Sequence, residues 1–494
     1  MKKENMKLKI ILTTILFCGF FGLVHSASAK TFYLDGDLSF NCSGNYSIAN
    51  KNCSGSDGDA YVSLADAETA LQGSDTLYIR SGTYSHATTN SNTAGILDIT
   101  KAGSAGNPTI VSGYPGEQPV ICAYQGHCNY NPNPADNSVT PCTPGTSAGG
   151  AACYYPNPAV SIQNSYVKLI NIKTYGQVVL PYINGKHDIT IEQCDIGGAG
   201  PFLNQGQALA IDGYDSSPGA YNITVQNNKI HHSAWGEAIL NSSTLMTYAT
   251  GDLIIENNEF SDGYGPDVRI KDGNYQGGTK SVTIRNNFFK PSTISPGNSG
   301  VSGVGQWDQL YMVYVHNNIF FGKNIAGGHD TSNIMYYNNT FIDNDYDLYS
   351  WAAGLTLSSY NNLHYHSNSS KYYIYHENQS PTTVLISDYN LFYQTGTGNK
   401  WKNGATSTTS FSAWQGAGYD ANSINSSDPN FVNASGNFNI PTDFKRNSYT
   451  ENFIGSSYGN HAGAYETGNE TIGVDWTTPA DVTPPASPTG LSVS

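Results

Sequence analysis

Short runs of alternating apolar and polar residues recur along this chain, and most of them end in a pair of polar residues. The runs are ITIEQCDI (189–196), ITVQNNKI (223–230), LIIENNEF (253–260), VTIRNNFF (282–289), VYVHNNIF (313–320), IMYYNNTF (334–341), LTLSSYNNLH (355–364) and ISDYNLFY (386–393). Apolar residues at every second position predict short β-strands with one buried face. Outside the N-terminus, no long window shows helical spacing, so the pattern predicts an all-β chain.

The second polar residue of each pair marks a repeat. It falls at positions 194, 228, 258, 287, 318, 339, 362 and 390, with intervals of 34, 30, 29, 31, 21, 23 and 28 residues. A motif that returns at such a period is typical of a solenoid, in which extra residues loop out between strands. The shortest interval holds about three short strands and three turns, which predicts a right-handed parallel β-helix of about ten or more coils.

Asparagine suits the turn of such a coil for two reasons. It tolerates the left-handed backbone conformation, and its amide both donates to and accepts from the asparagine of the next coil. We therefore expect a hydrogen-bonded asparagine ladder inside one bend. Cys194 occupies the ladder position of an early coil, which predicts a small buried thiol and not a catalytic one.

The two ends of the chain differ from the repeat region. Residues 1–29 combine four lysines, the apolar run IILTTILFCGFFGLV and the small residues Ala27-Ser28-Ala29, as a secretory signal peptide does. No later run is long and apolar enough to span a membrane. At the other end, residues 469–494 hold a Pro-rich linker, and LSVS resembles the start of a fibronectin type III-like module. We expect an exported protein without membrane insertion.

Charge and cysteine content narrow the class of partner. The signal peptide holds four of the 23 basic and one of the 38 acidic residues, which leaves 19 and 37 and a net charge of −18. Such a surface disfavours nucleic acid and anionic membranes. Cys42 and Cys53 bracket one loop, and four cysteines cluster in another, at 122, 128, 142 and 153. In an exported protein these predict disulfides, whose pairing among the last four the sequence leaves open.

Three segments resemble the secreted bacterial right-handed parallel β-helix proteins of the pectate-lyase-like superfamily. They are SLADAETALQGSDTLYIRSGTYS (63–85), TKAGSAGNPTIVSGYPGEQPVI (100–121) and SSDPNFVNASGNFNI (426–440) with HAGAYET (461–467). The first implies a short N-terminal capping helix ahead of the first coil. Together with the repeats, the likeness covers residues 30–468 and implies the fold. It does not choose a function, because this fold carries lyases, hydrolases, epimerases, phage tailspikes and adhesins.

A candidate site follows from the strand after each ladder turn. Aligning QALAIDG (207–213), EAILNSS (237–243) and DVRIKDG (267–273) places Gln207, Glu237 and Asp267 in register. With Val268 and Ile270 facing in, Asp267, Arg269 and Lys271 face out. Further residues on this face, or near it, are His231, His232, Trp307, Asp308, His329, Asp330, Tyr349 and Trp351.

The superfamily resemblance gives this face a chemistry. Its lyases cleave uronate polymers by β-elimination, with Ca²⁺ bound by carboxylates and a Lys or Arg as base. It implies Glu237 and Asp267 as metal ligands and Lys271 or Arg269 as the catalytic base. Trp307, Tyr349, Trp351 and His329 would then bind the substrate, an acidic or cell-surface polysaccharide, since aromatic rings stack on sugar faces.

Two other interpretations compete with this one. The charges of Glu237, Asp267 and Arg269 also fit an ordinary ion pair on a solvated face. A non-catalytic glycan-binding or adhesin protein, or a purely structural β-helix, would carry the same repeats. RIK (269–271) resembles one signature of polygalacturonase hydrolases, and GGHD (327–330) faintly resembles another. In those hydrolases the His motif precedes RIK, whereas here it follows, and their paired-aspartate motifs are absent from the sequence. A hydrolase is therefore the weaker prediction.

Overall fold

The structure is a computed structural model, and it describes twenty segments of the chain. They are residues 29–85, 96–123, 158–180, 186–197, 207–211, 220–232, 245–247, 252–263, 265–271, 281–292, 299–304, 312–329, 333–350, 356–367, 371–377, 384–395, 398, 400–425, 427–433 and 438–474. Nearly all of the predicted signal peptide, and the predicted linker from residue 475 onward, lie outside these segments. The chain divides into two units, Met1–Lys30 and Thr31–Ser494, and every described strand belongs to the second unit.

Three long sheets contain all the described strands. The first sheet has 13 strands: β1 (Thr31–Leu34), β2 (Asp59–Tyr61), β3 (Thr76–Ile79), β6 (Thr109–Gly113), β9 (Val167–Ile170), β12 (His187–Glu192), β15 (Tyr221–Gln226), β18 (Leu253–Glu256), β21 (Ser281–Arg285), β24 (Met312–His316), β27 (Asn333–Tyr337), β30 (Thr356–Tyr360) and β33 (Val384–Asp388).

The other two sheets have 12 strands each. The second sheet holds β4 (Thr83–Ser85), β7 (Val120–Cys122), β10 (Lys173–Tyr175), β13 (Asp195–Gly197), β16 (Lys229–His231), β19 (Glu259–Ser261), β22 (Phe288–Phe289), β25 (Ile319–Phe321), β28 (Thr340–Ile342), β31 (Leu363–His366), β34 (Leu391–Gln394) and β37 (Ile424–Asn425). The third sheet holds β5 (Leu97–Ile99), β8 (Val160–Ile162), β11 (Val178–Leu180), β14 (Leu209–Ile211), β17 (Leu245–Thr247), β20 (Val268–Lys271), β23 (Val301–Val304), β26 (Ile325–His329), β29 (Tyr346–Ser350), β32 (Tyr372–His376), β35 (Lys400–Asn403) and β36 (Thr406–Thr408).

Each full coil contributes one strand to every sheet, in the order first, second, third. Within each sheet a strand pairs in parallel with the strand of the next coil, as β12, β15 and β18 do in the first sheet. Only β36 pairs antiparallel, with β35, among the strands that the structure describes. This topology confirms the prediction of a right-handed parallel β-helix.

The predicted asparagine ladder lies in the bend between the first and second sheets. The backbone N–H and side-chain amide of Asn258 donate to Asn287 Oδ1 at 2.9 and 3.0 Å, and Asn287 repeats both bonds to Asn318. The first member of each pair takes the left-handed conformation, for example Asn257 (φ 55°) and Asn286 (φ 56°). The two asparagines therefore have separate tasks, one for the turn and one for the ladder.

Cys194 has the role predicted for it. It is fully buried, and its backbone N–H donates to Asn228 Oδ1 at 2.9 Å, so the thiol stands where later coils have an amide. Burial raises the pKa of this free thiol to about 12, which makes it a poor nucleophile.

Apolar side chains fill the interior between the sheets. Aromatic rings of the second sheet stack from coil to coil with centroids 4.5–5.1 Å apart, in the order Phe260, Phe289, Phe320, Phe341, His364 and Phe392. These rings are fully buried. The alternate positions of the same strands point out of the coil, as Phe288 and Ile319 do.

Helices are few and short. The predicted capping helix is confirmed as α1 (Leu64–Ala70), where Ser63 Oγ accepts from the N–H of Asp66 and Leu64 and Ala67 are buried against the first coil. A second helix, α2 (Phe411–Gly416), buries Trp414 at the far end of the sheets, and a 3₁₀ helix covers Pro441–Phe444. No described helix is long and apolar enough to cross a membrane.

After the last coil, the chain runs back over the outward face of the second sheet. We call residues 427–433 and 438–474 the C-terminal strap. Its apolar residues cover a row of outward side chains on the second sheet: Phe288, Ile319, Ile342, Leu363 and Leu391. The side chains of Asn338 and Asn361, in the left-handed turns, donate to strap carbonyls of Tyr458 and Gly459 at 2.8 and 2.7 Å.

Disulfides agree with the cysteine pattern as far as the described residues reach. Cys42 and Cys53 form one bridge. Cys122 is also disulfide-bonded, and its partner lies outside the described residues, as do Cys128, Cys142 and Cys153.

Candidate functional site

The register of the third sheet corrects the alignment made from the sequence. β17 pairs with β20 through Leu245 opposite Val268, so the strand of that coil is Leu245–Thr247 and not the segment that begins at Glu237. Leu209 lies opposite Leu245, which puts Gln207 out of register with Asp267 as well. The predicted stack of Gln207, Glu237 and Asp267 is therefore wrong. Glu237 lies in the connection before β17, and Ala208, one residue after Gln207, takes the register position of Asp267.

Asp267 faces the interior, contrary to the prediction. It is fully buried, and its Oδ2 lies 2.5 Å from Nζ of Lys323, which is also fully buried. Lys323 comes from the corner after β25, two coils further along. Val268 and Ile270 belong to the core as predicted. The backbone bends here, so two successive residues point inward, and the equivalent pair Asp347–Leu348 in β29 does the same.

The structure describes only some of the remaining predicted site residues. Arg269 lies on the outward face of β20 between the two core residues, and it is only 5% exposed. Lys271 ends β20 and His329 ends β26, while their side chains lie outside the described part of the chain. Glu237, Trp307 and Trp351, as well as Asp308 and Asp330, fall in segments that the structure does not describe.

Tyr349 belongs to a group of four tyrosines on the outward face of the third sheet, which we call the tyrosine platform. Tyr346 stacks on Tyr372 with centroids 5.2 Å apart, and Tyr349 stacks on Tyr375 at 5.0 Å. Edge contacts at 5.1 Å join Tyr346 to Tyr349 and at 4.9 Å join Tyr372 to Tyr375. All four rings are half-buried, so they form a firm aromatic surface with one side open.

Charged groups border the platform and fix its hydroxyls. Lys402 Nζ lies 4.2 Å from the centre of the Tyr375 ring and donates to its hydroxyl oxygen at 2.8 Å. Tyr349 donates from its hydroxyl to Glu377 Oε2 at 3.2 Å, and burial together with this carboxylate raises the pKa of Tyr349 to about 12. Lys400 Nζ lies 5.3 Å from the Tyr372 ring. The platform thus offers ring faces, hydroxyls and ammonium groups together.

The platform and Arg269 share one outward column of the third sheet. The register runs from Arg269 through Ser302 and Gly328 to Tyr349, then to Tyr375 and Lys402. Neighbouring coils lie about 4.8 Å apart, so Arg269 and Tyr349 are separated by about 14 Å along the helix axis. The tyrosines of the platform are half-buried, whereas Arg269 is only 5% exposed.

Sequence reasoning missed three of the four tyrosines and Lys402. The signal was present: YDLY (346–349) and YYIY (372–375) repeat a Tyr-x-x-Tyr spacing, and KWK (400–402) follows in the next coil. Because the inward bend puts two core residues between the outward ones, the spacing is three and not the two of a regular strand. A search for strict alternation therefore overlooks it.

The described residues do not fit the predicted calcium site. Asp267 gives its carboxylate to a lysine in the interior, and a lysine nitrogen is a cation that excludes Ca²⁺ from the same oxygen. No group of three or more His, Cys, Asp or Glu side chains within the described segments is arranged to hold a metal ion. Glu237 stays a prediction, since it lies outside those segments.

Three parallel sheets around an internal asparagine ladder define the class of this protein, a right-handed parallel β-helix. The sequence model of the family described as "Right handed beta helix region" matches residues 158–341, which is the stretch from β8 to β28. A comparison with curated proteins finds no significant match.

Solved structures similar to this chain include enzymes and an adhesin. A pectate lyase, Pel9A, has 15% identity and a TM-score of 0.49, over 89% of this chain and 97% of its own. A pectate lyase from Bacillus sp. N165 in complex with trigalacturonate has 18% identity and a TM-score of 0.32, over 64% and 86%. PfbA, a surface adhesin of Streptococcus pneumoniae, has 11% identity and a TM-score of 0.33, over 70% and 94%. These likenesses do not choose between cleavage and adhesion.

Proposed function

We propose that this protein binds a polysaccharide along the outward face of the third sheet, from the tyrosine platform toward Arg269. The observation that carries the proposal is the platform itself, two coil-to-coil tyrosine stacks bordered by Lys400, Lys402 and Glu377. Ring faces take the apolar faces of sugars, and the charged groups bond to hydroxyls or carboxylates. The ammonium groups favour an acidic polymer despite the negative charge of the whole chain.

Binding measurements with matched variants test this proposal. Soluble polygalacturonate, alginate, xylan and a neutral β-glucan are titrated into the protein by calorimetry. We expect Tyr349→Ala with Tyr375→Ala to weaken binding of the preferred polymer about tenfold or more, a loss of about 1.4 kcal/mol. Tyr221→Ala is the control, because Tyr221 is an exposed tyrosine of the first sheet that also stacks on a neighbour, His187. Equal affinities of the double variant and the wild type, or binding of no polymer, would refute the proposal.

Cleavage of the bound polymer by β-elimination is the second candidate function. The shared column of Arg269 and Tyr349 favours it, because it puts Arg269 three coils along the axis from the platform. Arg269 is 5% exposed, so the residues that cover it would have to move before it could meet the polymer. The candidate bases from the sequence are Arg269 and Lys271. Absorbance of the unsaturated product near 235 nm, measured on uronate polymers with Arg269→Ala and Lys271→Ala, tests each base separately. Binding without product on any uronate polymer would leave glycan binding as the function.

A further inference from the structure

His376 lies beneath the tyrosine platform, on the inward side of the strand that carries two of its rings. The strand is β32, and Tyr372 and Tyr375 point out of it, while His376 is 1% exposed. Neither nitrogen of the His376 ring has a hydrogen-bond partner within the described part of the chain, and neither has the hydroxyl of Ser350, its register neighbour in β29. A neutral imidazole carries one donor and one acceptor that water would satisfy, so the interior holds this ring at a cost.

Two other buried histidines of the same interior differ from His376, because they share a carboxylate. Asp347, on β29, is fully buried, and its Oδ2 lies 2.8 Å from His364 Nδ1 and 3.0 Å from His366 Nε2. The Asn344 amide donates to the other oxygen at 3.0 Å. Burial raises the pKa of Asp347, but the charges and hydrogen bonds of the two histidines outweigh it, and the pKa ends below its ordinary value. A proton taken up by either of these two rings would therefore lie beside an ionised carboxylate.

His376 has no such counter-charge. Apart from the platform, the other titratable groups on the elements around it are the phenols of Tyr336, Tyr373 and Tyr419, the carboxylates of Asp420 and Glu377, and the ammonium groups of Lys400 and Lys402. The phenols are uncharged at neutral and acidic pH. Asp420 is fully buried in the last coil, where Asn390 and Trp414 donate to its carboxylate at 2.9 and 2.7 Å. Glu377 and the two lysines belong to the outward side of the sheet.

The strand that holds His376 is paired irregularly on one side. The register between β32 and β35 shifts between Tyr372 and Ile374. A shift of this kind interrupts the ladder of backbone hydrogen bonds, which weakens the hold of the neighbouring strand. Opening of β32 would bring water to the buried imidazole and would pull apart the two tyrosine stacks of the platform.

We propose that His376 makes polymer binding by the tyrosine platform sensitive to pH. A proton on this imidazole favours a state in which β32 has opened to water, and the platform in that state binds polymer weakly. This rests on the proposed function, because the regulated site is the platform itself. The proton needs no further ligand to act, since it shifts the equilibrium by its different affinity for the two states.

The direction of the pH dependence follows from burial. Burial lowers the pKa of His376 below its ordinary value of 6.5, so the closed state of β32 favours the neutral ring. Polymer affinity is then complete above pH 6.5 and falls as the pH drops through the lowered pKa. Asp420 acts in the opposite direction, because burial raises its pKa and its protonation favours the folded state. An acid-side loss of affinity is therefore not the effect of Asp420.

Calorimetric titrations of the full chain at several pH values test this inference. The probe is whichever of polygalacturonate, alginate, xylan and the neutral β-glucan binds most tightly. For the wild type we expect the affinity to fall about fivefold or more between about pH 7.5 and about pH 5, since one linked proton changes it by at most about tenfold per pH unit. His376→Leu and His376→Gln cannot take up the proton, so their affinity should stay within about twofold over the same range. A purely structural role of His376 would change the affinity at every pH alike.

Two further variants serve as controls, and both should keep the pH dependence of the wild type. His316→Gln removes another histidine whose pKa burial lowers, but His316 belongs to the outward face of the first sheet. Glu377→Gln removes the exposed carboxylate that contacts the Tyr349 hydroxyl. Thermal unfolding at both ends of the pH range checks that each variant is folded. The unfolding temperature should fall less in acid for His376→Leu than for the wild type.

The outcomes separate this inference from the proposed function. An equal acid-side fall of affinity in the wild type and in both His376 variants overturns the inference, and so does a wild-type affinity that is independent of pH. In both cases the platform remains a binding site. A pH dependence that disappears in Glu377→Gln but persists in the His376 variants assigns the effect to the surface carboxylate and overturns the inference as well. Binding of no polymer at any pH refutes the proposed function, and the inference with it.

Discussion

At the scale of single residues, the buried pair of Asp267 and Lys323 is expected to affect the stability of the fold most. Both are fully buried and their charged atoms lie 2.5 Å apart. The lysine also receives support through its backbone, whose N–H donates to Asn344 Oδ1 at 2.9 Å. A buried pair of this kind adds little compared with an apolar pair, but removing one partner strands the other charge without solvent.

Asp267→Asn is therefore expected to destabilise the fold by about 3–5 kcal/mol, because the buried Lys323 would lose the carboxylate that lies 2.5 Å from its Nζ. Urea denaturation followed by circular dichroism measures this. The double change of Asp267→Leu and Lys323→Met should recover most of the loss, since it removes both charges together. If Asp267→Asn costs less than about 1 kcal/mol, the two groups are not a buried ion pair.

The same pair shows what residue-level reasoning misses. The alternation around Val268 and Ile270 identified the core positions of β20, and it was confirmed. The direction of Asp267 was wrong, because the backbone bends at the corner and because the partner, Lys323, comes from a different coil. The sequence around Asp267 does not indicate Lys323 as its partner, because only the stacking of the coils brings the two residues together.

At the scale of structural elements, the asparagine ladder is the clearest contributor to the stability of the fold. Asn287 Oδ1 accepts two hydrogen bonds from Asn258, and the Asn287 amide donates to Ile255 O at 2.9 Å and Asn318 Oδ1 at 3.0 Å. All of these atoms are buried, so a polar group that loses its hydrogen bond here cannot bond to water instead.

Asn287→Ala should lower the free energy of unfolding by about 2–5 kcal/mol, because at least two buried groups lose their partners. Asn286→Gly is the matched control, since glycine adopts the left-handed conformation of that turn without strain and the ladder is untouched. We expect the control to cost less than about 1 kcal/mol. Chemical denaturation of both variants provides the measurement, and similar losses would mean that the turn and not the ladder supplies the stability.

Elements of the first and second sheets were more predictable than those of the third. The asparagine pairs tie each first-sheet strand to the second-sheet strand that follows, so their register could be counted from the sequence. The third-sheet strand follows a connection of variable length, and in one coil it begins at Leu245 and not near Glu237. Loop length carries no register information, which is why the candidate face was aligned wrongly there and the tyrosine spacing was overlooked.

For the molecule as a whole, the C-terminal strap closes the outward face of the second sheet. Phe431, Phe438, Phe444 and Phe453 lie against the outward row that begins at Phe288. Within the strap, Arg446 and Glu451 form a buried ion pair. A protein that ends at residue 426 should therefore expose this apolar row. We expect strongly increased fluorescence of a hydrophobic dye and a lower unfolding temperature, while circular dichroism still reports β-structure.

The control for that truncation is the variant Ile454→Ser. The side chain of Ile454 lies in the strap and is 80% exposed. This substitution changes an apolar side chain of the same segment that contacts solvent and should leave dye binding unchanged. Dye binding of the truncated protein at the wild-type level would show that the outward row does not depend on the strap for its cover.

The position of the strap in the sequence also determines that the coils form before the segment that covers them. A chain made from its N-terminus can stack coils as they appear, yet the row from Phe288 to Leu391 is finished before the residues that cover it exist. During that interval five apolar side chains face outward on neighbouring coils, the kind of surface on which growing chains stick to one another. The strap, which is synthesised after the coils that it covers, is thus what ends the exposure. A translation pause or premature stop between residues 391 and 438 would produce chains with well-formed coils that aggregate through the side of the solenoid.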